Sequence, residues 1–489
     1  MTKCAPFDYP GLQDAIREYY SDGLNDKDAL AMVLKRVIDT SRFRLRQVLY
    51  PIMISCLLTW RCAFTSSGHT VETATPLLRA ARAQHRTAGI QGLKNIIRSE
   101  SNGGIIRIPR SVITGFVHRE EPEAVSARKG KAAQPRGVFK CPGSSYLWAI
   151  DQHDKWQRFY LWLHIGVDTY SSYILWMKVW WTNSNPRLIA SYYLDAAEDL
   201  GGVPRLTESD PGSENFGVAN SQSTLRQMVD PTLTGTMQHH WARGNGHMNI
   251  KPEIAWSVWR RYGAPSYEDL LQQGIDNGWY DSSVNIHMLI FRWVFMPLVQ
   301  AYLDSYRDRM NTSYKRSNTK TVLPHGRPKY IFAEGENFLV NVPTEAFRTV
   351  REQYANPTDP VFEFVPPRFL LHITAFHHQL GFPIITRENG WACYCDILRL
   401  FENWAAPDPL VDEELANAGQ LQARLCAESE QGASRGDSWG YGTELLAPVE
   451  FAFEDHGVPE DSQDRTANGS ENRDIVVFFD SDEEQEWDL

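Results

Sequence analysis

Three apolar runs that lie close together in the chain constrain the fold more than any other feature. They cover residues 145–150, 159–167 and 173–181 and are rich in aromatic and β-branched residues. Such residues favour strands, and a turn-forming stretch at residues 168–172 separates the second run from the third. The pattern therefore predicts a three-stranded meander, and the residue that directly follows its first strand is Asp151.

Helix and strand patterns alternate after this meander. In chain order they predict a helix over residues 186–200, a strand over 204–209, a helix over 215–228, a strand near Thr236, a helix from Pro252 and a helix over 285–309. This order of elements is that of the RNase H fold, an α/β layer fold. We therefore expect a mixed five-stranded sheet that is flanked by helices.

Three carboxylates occupy defined places in these elements. Asp151 ends the first strand, Asp210 follows the fourth strand, and Glu253 lies in the first turn of a helix. Two divalent ions held by carboxylates can stabilise both the attacking and the leaving oxygen in phosphoryl transfer. The order of the three residues predicts a catalytic centre in which Asp151 and Asp210 bridge two Mg²⁺ or Mn²⁺ ions and Glu253 completes one coordination shell.

Five motifs resemble the integrase core domain family of DDE transposases and retroviral-type integrases. They are YLWAIDQHDKW (146–156), GVDTYSSYILWMKV (166–179), NSNP (183–186), GGVPRLTESDPGSEN (201–215) and NIKPEIAWSVWRR (249–261). The resemblance is closest to integrase-core proteins that are encoded in fungal and animal genomes. It implies an RNase H-like fold, DNA as the partner, and Asp151, Asp210 and Glu253 as the metal ligands.

The leading functional hypothesis is metal-dependent DNA strand transfer by a protein of transposable-element origin. A hydroxyl group, from water or from a DNA 3′ end, would attack a phosphodiester without a protein-linked intermediate. The alternative is a domesticated, catalytically inactive DNA-binding protein that keeps the integrase fold. A ribonuclease H-type hydrolase would share the chemistry, but the helical segments that precede the core argue against it.

The chain divides into five predicted regions: a helical, helix-turn-helix-like region (1–125), a linker (126–140), the catalytic core (141–327), an α+β extension (328–405) and a disordered acidic tail (406–489). In the first region the last helix is expected to begin near Pro109 and to present Arg107 and Arg110 to DNA. A plain helical bundle without DNA contacts is equally compatible with this pattern.

Several residues near the three carboxylates have two interpretations. Lys251, Arg260 and Arg261 flank the helix of Glu253 and are either phosphate contacts or a solvated basic face. Glu214 and Asn215 either position DNA or water beside the metals or cap the helix that follows. Asp168 is interpreted as a hairpin turn residue rather than as a ligand.

Charge is unevenly distributed along the chain. The net charge is −11, yet residues 406–489 alone carry 22 acidic and 4 basic side chains, which leaves +7 for the rest. Residues 1–140 hold 22 basic and 12 acidic side chains, a net of +10. A basic amino-terminal third fits a protein that binds a polyanion such as DNA.

The remaining expectations concern partners and compartment. The apolar residues Ile475, Val476 and Val477, followed by acidic residues, resemble a SUMO-interacting motif, with a tail that folds back on the basic body as the alternative. Seven scattered cysteines without a CxxC pair indicate a reducing compartment, and we expect the nucleus. No run approaches the roughly 20 apolar residues of a membrane helix, so no membrane partner is expected. A homo-oligomer is expected, of a size that the sequence does not define.

Overall fold

The structure is a computed structural model. It describes residues 68–122, 139–242, 249–315 and 322–431, apart from residues 87, 101–105, 107 and 406. It also describes Glu18, Tyr19, Asp22, Leu24, Ala29 and Met32. Most of the expected helical region before residue 65, Arg107, and the segment of Ile475, Val476 and Val477 lie outside the described residues.

A mixed five-stranded sheet forms the centre of the fold, which confirms the predicted class. The strands are β1 (Leu147–His153), β2 (Trp162–Asp168), β3 (Ile174–Trp180), β4 (Gly202–Val203), β5 (Leu206–Ser209), β6 (His239–Trp241) and β7 (Val340–Asn341). Five of them pair in the order β3-β2-β1-β5-β6. The meander β1-β2-β3 is antiparallel, whereas β5 and β6 extend it with parallel pairs. Strands β4 and β7 form a separate pair.

Helices pack on both faces of the sheet, and three further helices precede it. In chain order, the helices of the described residues are α1 (Val71–Gln84), α2 (Ile90–Glu100), α3 (Arg110–Glu120), α4 (Pro186–Leu200), α5 (Phe216–Val229), α6 (Ile250–Tyr262), α7 (Ala264–Asp276), α8 (Asn285–Thr312), α9 (Pro328–Glu334), α10 (Thr344–Tyr354), α11 (Pro367–Gln379), α12 (Gly390–Glu402) and α13 (Pro409–Gln431). Helix α4 has the bounds that its sequence predicts, because Asn185 caps its first turn and Gly201 ends it with a positive φ.

Alternation along β1 separates the two faces. Trp148 packs edge-on against Tyr193 of α4, so the even-numbered residues of β1 face helices α4 and α5. His153 stacks on Trp256 of α6, so the odd-numbered residues, which include Asp151, face α6. The predicted catalytic carboxylate therefore leaves the sheet on the side of α6.

The turn between β2 and β3 depends on Asp168, which is fully buried. Its carboxylate accepts hydrogen bonds from the Ser145 N–H (2.8 Å), the Ser171 N–H (2.9 Å) and the Ser171 hydroxyl (2.5 Å). Burial raises the pKa of Asp168 to about 6, although these hydrogen bonds act in the opposite direction. The contacts agree with the interpretation of Asp168 as a turn residue.

Side-chain amides of α8 cover the outer edge of β3. Asn311 accepts a hydrogen bond from the Ile174 N–H (2.8 Å) and donates one to the Ile174 carbonyl (2.9 Å). Gln300 accepts from the Val179 N–H (3.0 Å) and donates to the Met177 carbonyl (3.1 Å). These positions of the edge strand are therefore closed to pairing with another strand.

Replacing Asn311 with Ala should destabilise the protein by about 1–3 kcal/mol for each group left without a partner, because the N–H and carbonyl of Ile174 are buried. Urea unfolding of the parent and the variant measures this difference. Asn277→Ala, at an exposed asparagine that bonds only within its own helix end, is the control. Equal losses for the two variants would contradict a special role of the amide at the sheet edge.

Helix α8 is long and apolar enough, by length and composition, to cross a membrane. This finding corrects the expectation that no apolar run approaches the length of a membrane helix. In the protein 56% of its most apolar window is buried, and the helix packs along β3. Its apolar character is therefore explained by its place in the core.

Helices α1, α2 and α3 form a three-helix unit before the sheet. Leu78, Leu93, Ile113 and Phe116 belong to a hydrophobic core of its own. Helix α3 begins at Arg110 directly after Pro109, as predicted. The unit is attached to the end of α8 by hydrogen bonds from Asn95 to the Ser313 hydroxyl (2.9 Å) and from Arg98 to the Thr312 hydroxyl (3.2 Å).

The region that follows the predicted catalytic core (141–327) belongs to the same hydrophobic cluster as the sheet. Residues of α10, α11 and α12 are buried in one cluster with the sheet; they include Val350, Phe369, Ile373, Trp391, Tyr394 and Ile397. Among the described residues this region is helical except for the two residues of β7, rather than the expected mixture of helices and strands.

Part of the region that was expected to be disordered is helical. Residues 409–431 form α13, although disorder was expected from residue 406. Val411 is 2% exposed, and Leu415, Ala418 and Leu421 pack against the main core. This helical spacing of apolar residues is easily missed among the surrounding acidic ones, because the composition of the whole segment is polar.

Candidate active site

The parallel pairing of β1 with β5 brings Asp151 and Asp210 to the same end of the sheet. The register pairs Ala149 with Glu208, two residues before Asp151 and two before Asp210. Asp210 directly follows β5, and neighbouring strands are about 4.8 Å apart. The two carboxyl groups are close enough for the charge of Asp210 to act on Asp151.

Two contacts hold α6 over this end of the sheet. Asn249, which precedes the helix, donates a side-chain hydrogen bond to the carbonyl of Ile150 in β1 (2.8 Å). Farther along, Trp256 stacks on His153 with ring centroids 4.8 Å apart. His153 shares the face of Asp151, and Glu253 lies one helical turn before Trp256. The helix brings Glu253 close enough for its charge to act on Asp151, and its role as a ligand stays a prediction.

Asp210 and Glu253 disfavour the charged form of Asp151. Burial raises the pKa of Asp151 well above its ordinary value, and the charges of Asp210 and Glu253 raise it further. Burial also raises the pKa of Asp210. Such shifts arise when acidic groups are gathered in a partly buried place. A divalent cation bound between them would reverse the shifts, since it favours the ionised forms.

The chemistry of these donors fits a hard divalent cation. Asp151, Asp210 and Glu253 offer carboxylate oxygens, which Mg²⁺ and Mn²⁺ prefer over nitrogen or sulfur. Within the described ranges, however, no group of three or more His, Cys, Asp or Glu side chains stands close enough together to hold a metal ion. Coordination by all three residues would therefore require a change of side-chain rotamers.

A short loop after β5 carries Asp210 and is tied to β1. The Gln152 amide donates to the Glu214 carboxylate (3.0 Å) and to the Asn215 side-chain oxygen (3.2 Å). Asn215 in turn donates to the Asp210 backbone carbonyl (3.1 Å). Asn215 makes no side-chain cap with the helix that follows. The capping alternative for Asn215 is therefore not observed, and no sequence pattern indicated the contact with Gln152.

Glu208 adds a fourth carboxylate near Asp210 but has its own partner. Its carboxylate forms a hydrogen bond of 2.7 Å with Nδ1 of His240, which occupies the paired position on β6. Burial is the main reason why the pKa of Glu208 is raised, whereas His240 lowers it and Asp210 raises it. The contact with His240 gives Glu208 a hydrogen-bond partner of its own, a feature that only the register between β5 and β6 reveals.

Lys251 does not lie on an exposed basic face. It is 5% exposed, and its ammonium lies over the Phe139 ring, 5.6 Å from the centroid. Its position at the start of α6, on the side that packs against the protein, explains the burial. Lys251 is therefore poorly placed for the expected phosphate contact and better placed to hold residue 139 against α6.

Arg260 and Arg261 at the end of α6 and Lys155 after β1 are exposed cations. The charges of Arg260 and Lys155 both act on His153, whose pKa falls to about 4, mainly because of burial. The two cations therefore flank the end of β1 that carries Asp151. Sequence reasoning missed Lys155, although its position four residues after Asp151 in the same motif was a usable signal.

The candidate DNA contacts on the three-helix unit are only partly described. Arg110 is exposed at the first position of α3, as expected for a residue that could approach DNA. Arg107 lies outside the described residues. The arrangement of α1, α2 and α3 is compatible with both earlier interpretations, a DNA-reading unit and a plain helical bundle.

Comparison with known proteins gives one result for the region that contains this site. No curated protein matches the chain. Residues 138–335 match a family model described as an integrase core domain, and this range contains Asp151, Asp210 and Glu253. This part of the chain is therefore similar to integrase core domains.

Proposed function

We propose that this protein is a polynucleotidyl transferase that cleaves and joins DNA with divalent metal ions. The observation that carries the proposal is the arrangement of Asp151, Asp210 and Glu253 at one end of the sheet, in a domain similar to integrase cores. Bound Mg²⁺ or Mn²⁺ would supply charge neutralisation for the attacking and leaving oxygens.

The residues of the chain have separate tasks in this proposal. Asp151 of β1 and Asp210, which follows β5, would hold the metal ions, and Glu253 of α6 would complete the site. The stack of Trp256 on His153 keeps that helix at a fixed height over β1. Lys155 and Arg260 provide positive charge at the rim, where a phosphodiester backbone would lie.

A DNA-binding protein without turnover is the second candidate. It is favoured by the observation that, in the part of the chain that the structure describes, no three potential ligands stand close enough to hold an ion. Both candidates share DNA as the partner, and they differ only in the chemical step. A cleavage assay with the metal as the variable therefore separates them.

The test is incubation of the full chain with supercoiled plasmid and either Mg²⁺ or Mn²⁺. We expect nicking that requires the metal and disappears in Asp210→Asn, because an amide is a poor ligand for a hard cation. Asp412→Asn, at an exposed position of α13, is the matched control and should cleave like the parent. Binding of the plasmid without metal-dependent nicking in the parent would favour the second candidate.

Lys155 and Arg260 should contribute to DNA affinity as phosphate contacts. Replacing both with Ala should weaken binding to duplex and lower the salt dependence, by roughly one unit of slope for each lost contact. Fluorescence anisotropy across a series of salt concentrations measures both quantities. Arg399→Ala on α12, which removes an exposed Arg far along the chain from the site, is the control. An unchanged slope in the double variant would remove these residues from the interface.

Partners and compartment are proposals that follow from this function. A protein that acts on genomic DNA would work in the nucleus, and integration of two DNA ends would be served by a homo-oligomer. Ile475, Val476 and Val477 remain candidates for SUMO binding. Titration of a peptide with SUMO, followed by NMR, tests that proposal, and an absence of shifts would reject it.

A further inference from the structure

We infer that Gln152 and Asn215 position Asp210 against Asp151 and thereby set the affinity of the site for divalent metal ions. This inference rests on the proposed function, since it concerns the same site. It assigns a role to a residue that is adjacent in sequence to a predicted ligand but faces the other side of the sheet.

The argument begins with the alternation of side chains along β1. Asp151 points toward α6, so its neighbour Gln152 points toward α4 and α5. From that side Gln152 reaches the loop that leads from β5 into α5, where it donates to Glu214 (3.0 Å) and Asn215 (3.2 Å). Two consecutive residues of one strand therefore face the Asp210 loop from opposite sides.

Asn215 transmits the position of Gln152 to Asp210. It is fully buried, and its amide donates to the Asp210 backbone carbonyl (3.1 Å) and to Glu214 (3.3 Å). Its own N–H bonds to the Gly212 carbonyl (3.1 Å), which closes the loop on itself. The loop therefore moves as a unit, and Gln152 anchors that unit to β1.

The carboxylate of Glu214 packs directly against Gly212, which leaves little room between them. A Cβ atom at residue 212 would overlap the carboxylate of Glu214, so the side chain of Glu214 occupies the space that any larger residue would need. Burial raises the pKa of Glu214, and the charges of Asp154 and Asp210 act in the same direction. Glu214 is thus enclosed between the loop and β1, where the amides of Gln152 and Asn215 satisfy it.

This geometry has a consequence for metal binding. A two-metal centre requires a fixed separation of its bridging carboxylates, and residues that orient a ligand from behind commonly change metal affinity 10- to 100-fold when they are replaced. Loss of the Gln152 anchor should let the loop drift while the ligands themselves stay intact. Gln152 and Asn215 are therefore positioning residues, not catalytic ones.

The experiment compares Mn²⁺ affinity by isothermal titration calorimetry in the full-length parent and in Gln152→Ala, Gln152→Glu and the double variant Gln152→Glu/Glu214→Gln. We expect Gln152→Ala to weaken Mn²⁺ binding about tenfold or more. Gln152→Glu should weaken it further, because two carboxylates then face each other. The double variant exchanges the amide and the carboxylate and should recover most of the affinity.

Hydrogen exchange without metal provides a second measurement. Gln152→Ala should raise the exchange of residues 210–215 while the rest of the sheet stays protected. Gln222→Ala is the matched control, since Gln222 also uses a buried amide to join α5 to the chain at Pro204 (2.9 Å) but makes no hydrogen bond to the loop. It should change neither the loop exchange nor the Mn²⁺ affinity.

The outcomes separate the two proposals. If the parent binds Mn²⁺ and Gln152→Ala binds it equally well, the positioning role is rejected and the proposed function stands. If the parent does not bind Mn²⁺, the metal-dependent function fails. In that case faster loop exchange in Gln152→Ala would still support the anchor, and unchanged exchange would reject it.

Discussion

Replacing Asp151 with Asn should lower metal-dependent DNA cleavage by about a thousandfold or more, because under the proposed function this carboxylate would hold the metal ions, which would supply several kcal/mol of charge stabilisation. Binding of duplex DNA should change little, since the exposed cations Lys155 and Arg260 are unaltered. The measurement is a time course of plasmid nicking beside an anisotropy titration with the same DNA. Comparable rates in parent and variant would exclude Asp151 from the active site.

The same substitution should stabilise the protein when no metal is present. The folded-state pKa of Asp151 is raised, so its charged form is disfavoured in the fold, and this cost is fully present above the raised pKa. As the pH falls through the raised pKa toward the value of an unfolded aspartate, the cost disappears. The gain in melting temperature from Asp151→Asn should therefore be largest above the raised pKa and should shrink as the pH falls through it into acid.

Metal binding should reverse this order of stabilities. Mg²⁺ or Mn²⁺ should raise the melting temperature of the parent, because a ligand that binds only the folded state stabilises it, and should affect Asp151→Asn much less. A variant that is less stable than the parent in EDTA at neutral pH would contradict the electrostatic account. It would indicate that Asp151 has a structural hydrogen bond instead.

Ending the chain after residue 335, where the match to integrase cores stops, should abolish cooperative folding. This truncation removes core residues such as Phe369, Ile373, Trp391 and Tyr394 from the cluster that includes the sheet. Each large buried apolar side chain contributes about 1.5–3 kcal/mol, and a whole domain is stable by only about 5–15 kcal/mol. Thermal unfolding followed by circular dichroism is the measurement.

Truncation after Gln431 is the control for this prediction. It keeps α10 to α13 and should unfold cooperatively at nearly the temperature of the full chain. A protein that ends at residue 335 and still unfolds cooperatively at that temperature would show that the later helices are a separable extension.

Much of the core could be predicted from residue patterns. The aromatic and β-branched runs indicated the meander, the cap at Asn185 and the glycine at residue 201 defined α4, and Pro109 marked the start of α3. These features are local, because strand alternation, capping and proline geometry depend on residues a few positions apart. The same locality made the helix of residues 409–431 hard to see, since its acidic composition concealed the apolar face that packs against the core.

The candidate site also has some features that local residue patterns indicate and others that depend on packing. Residue patterns alone were enough to identify Asp151, Asp210 and Glu253 as candidate ligands, because each stands at a recognisable place relative to a strand or helix. The burial of Lys251, the position of Lys155 near Arg260 and the hydrogen bond from Gln152 to the Asp210 loop became visible only in three dimensions. Those relations depend on strand register and on how helices lie across the sheet. Both are set by packing between residues far apart in the chain, which no local pattern records.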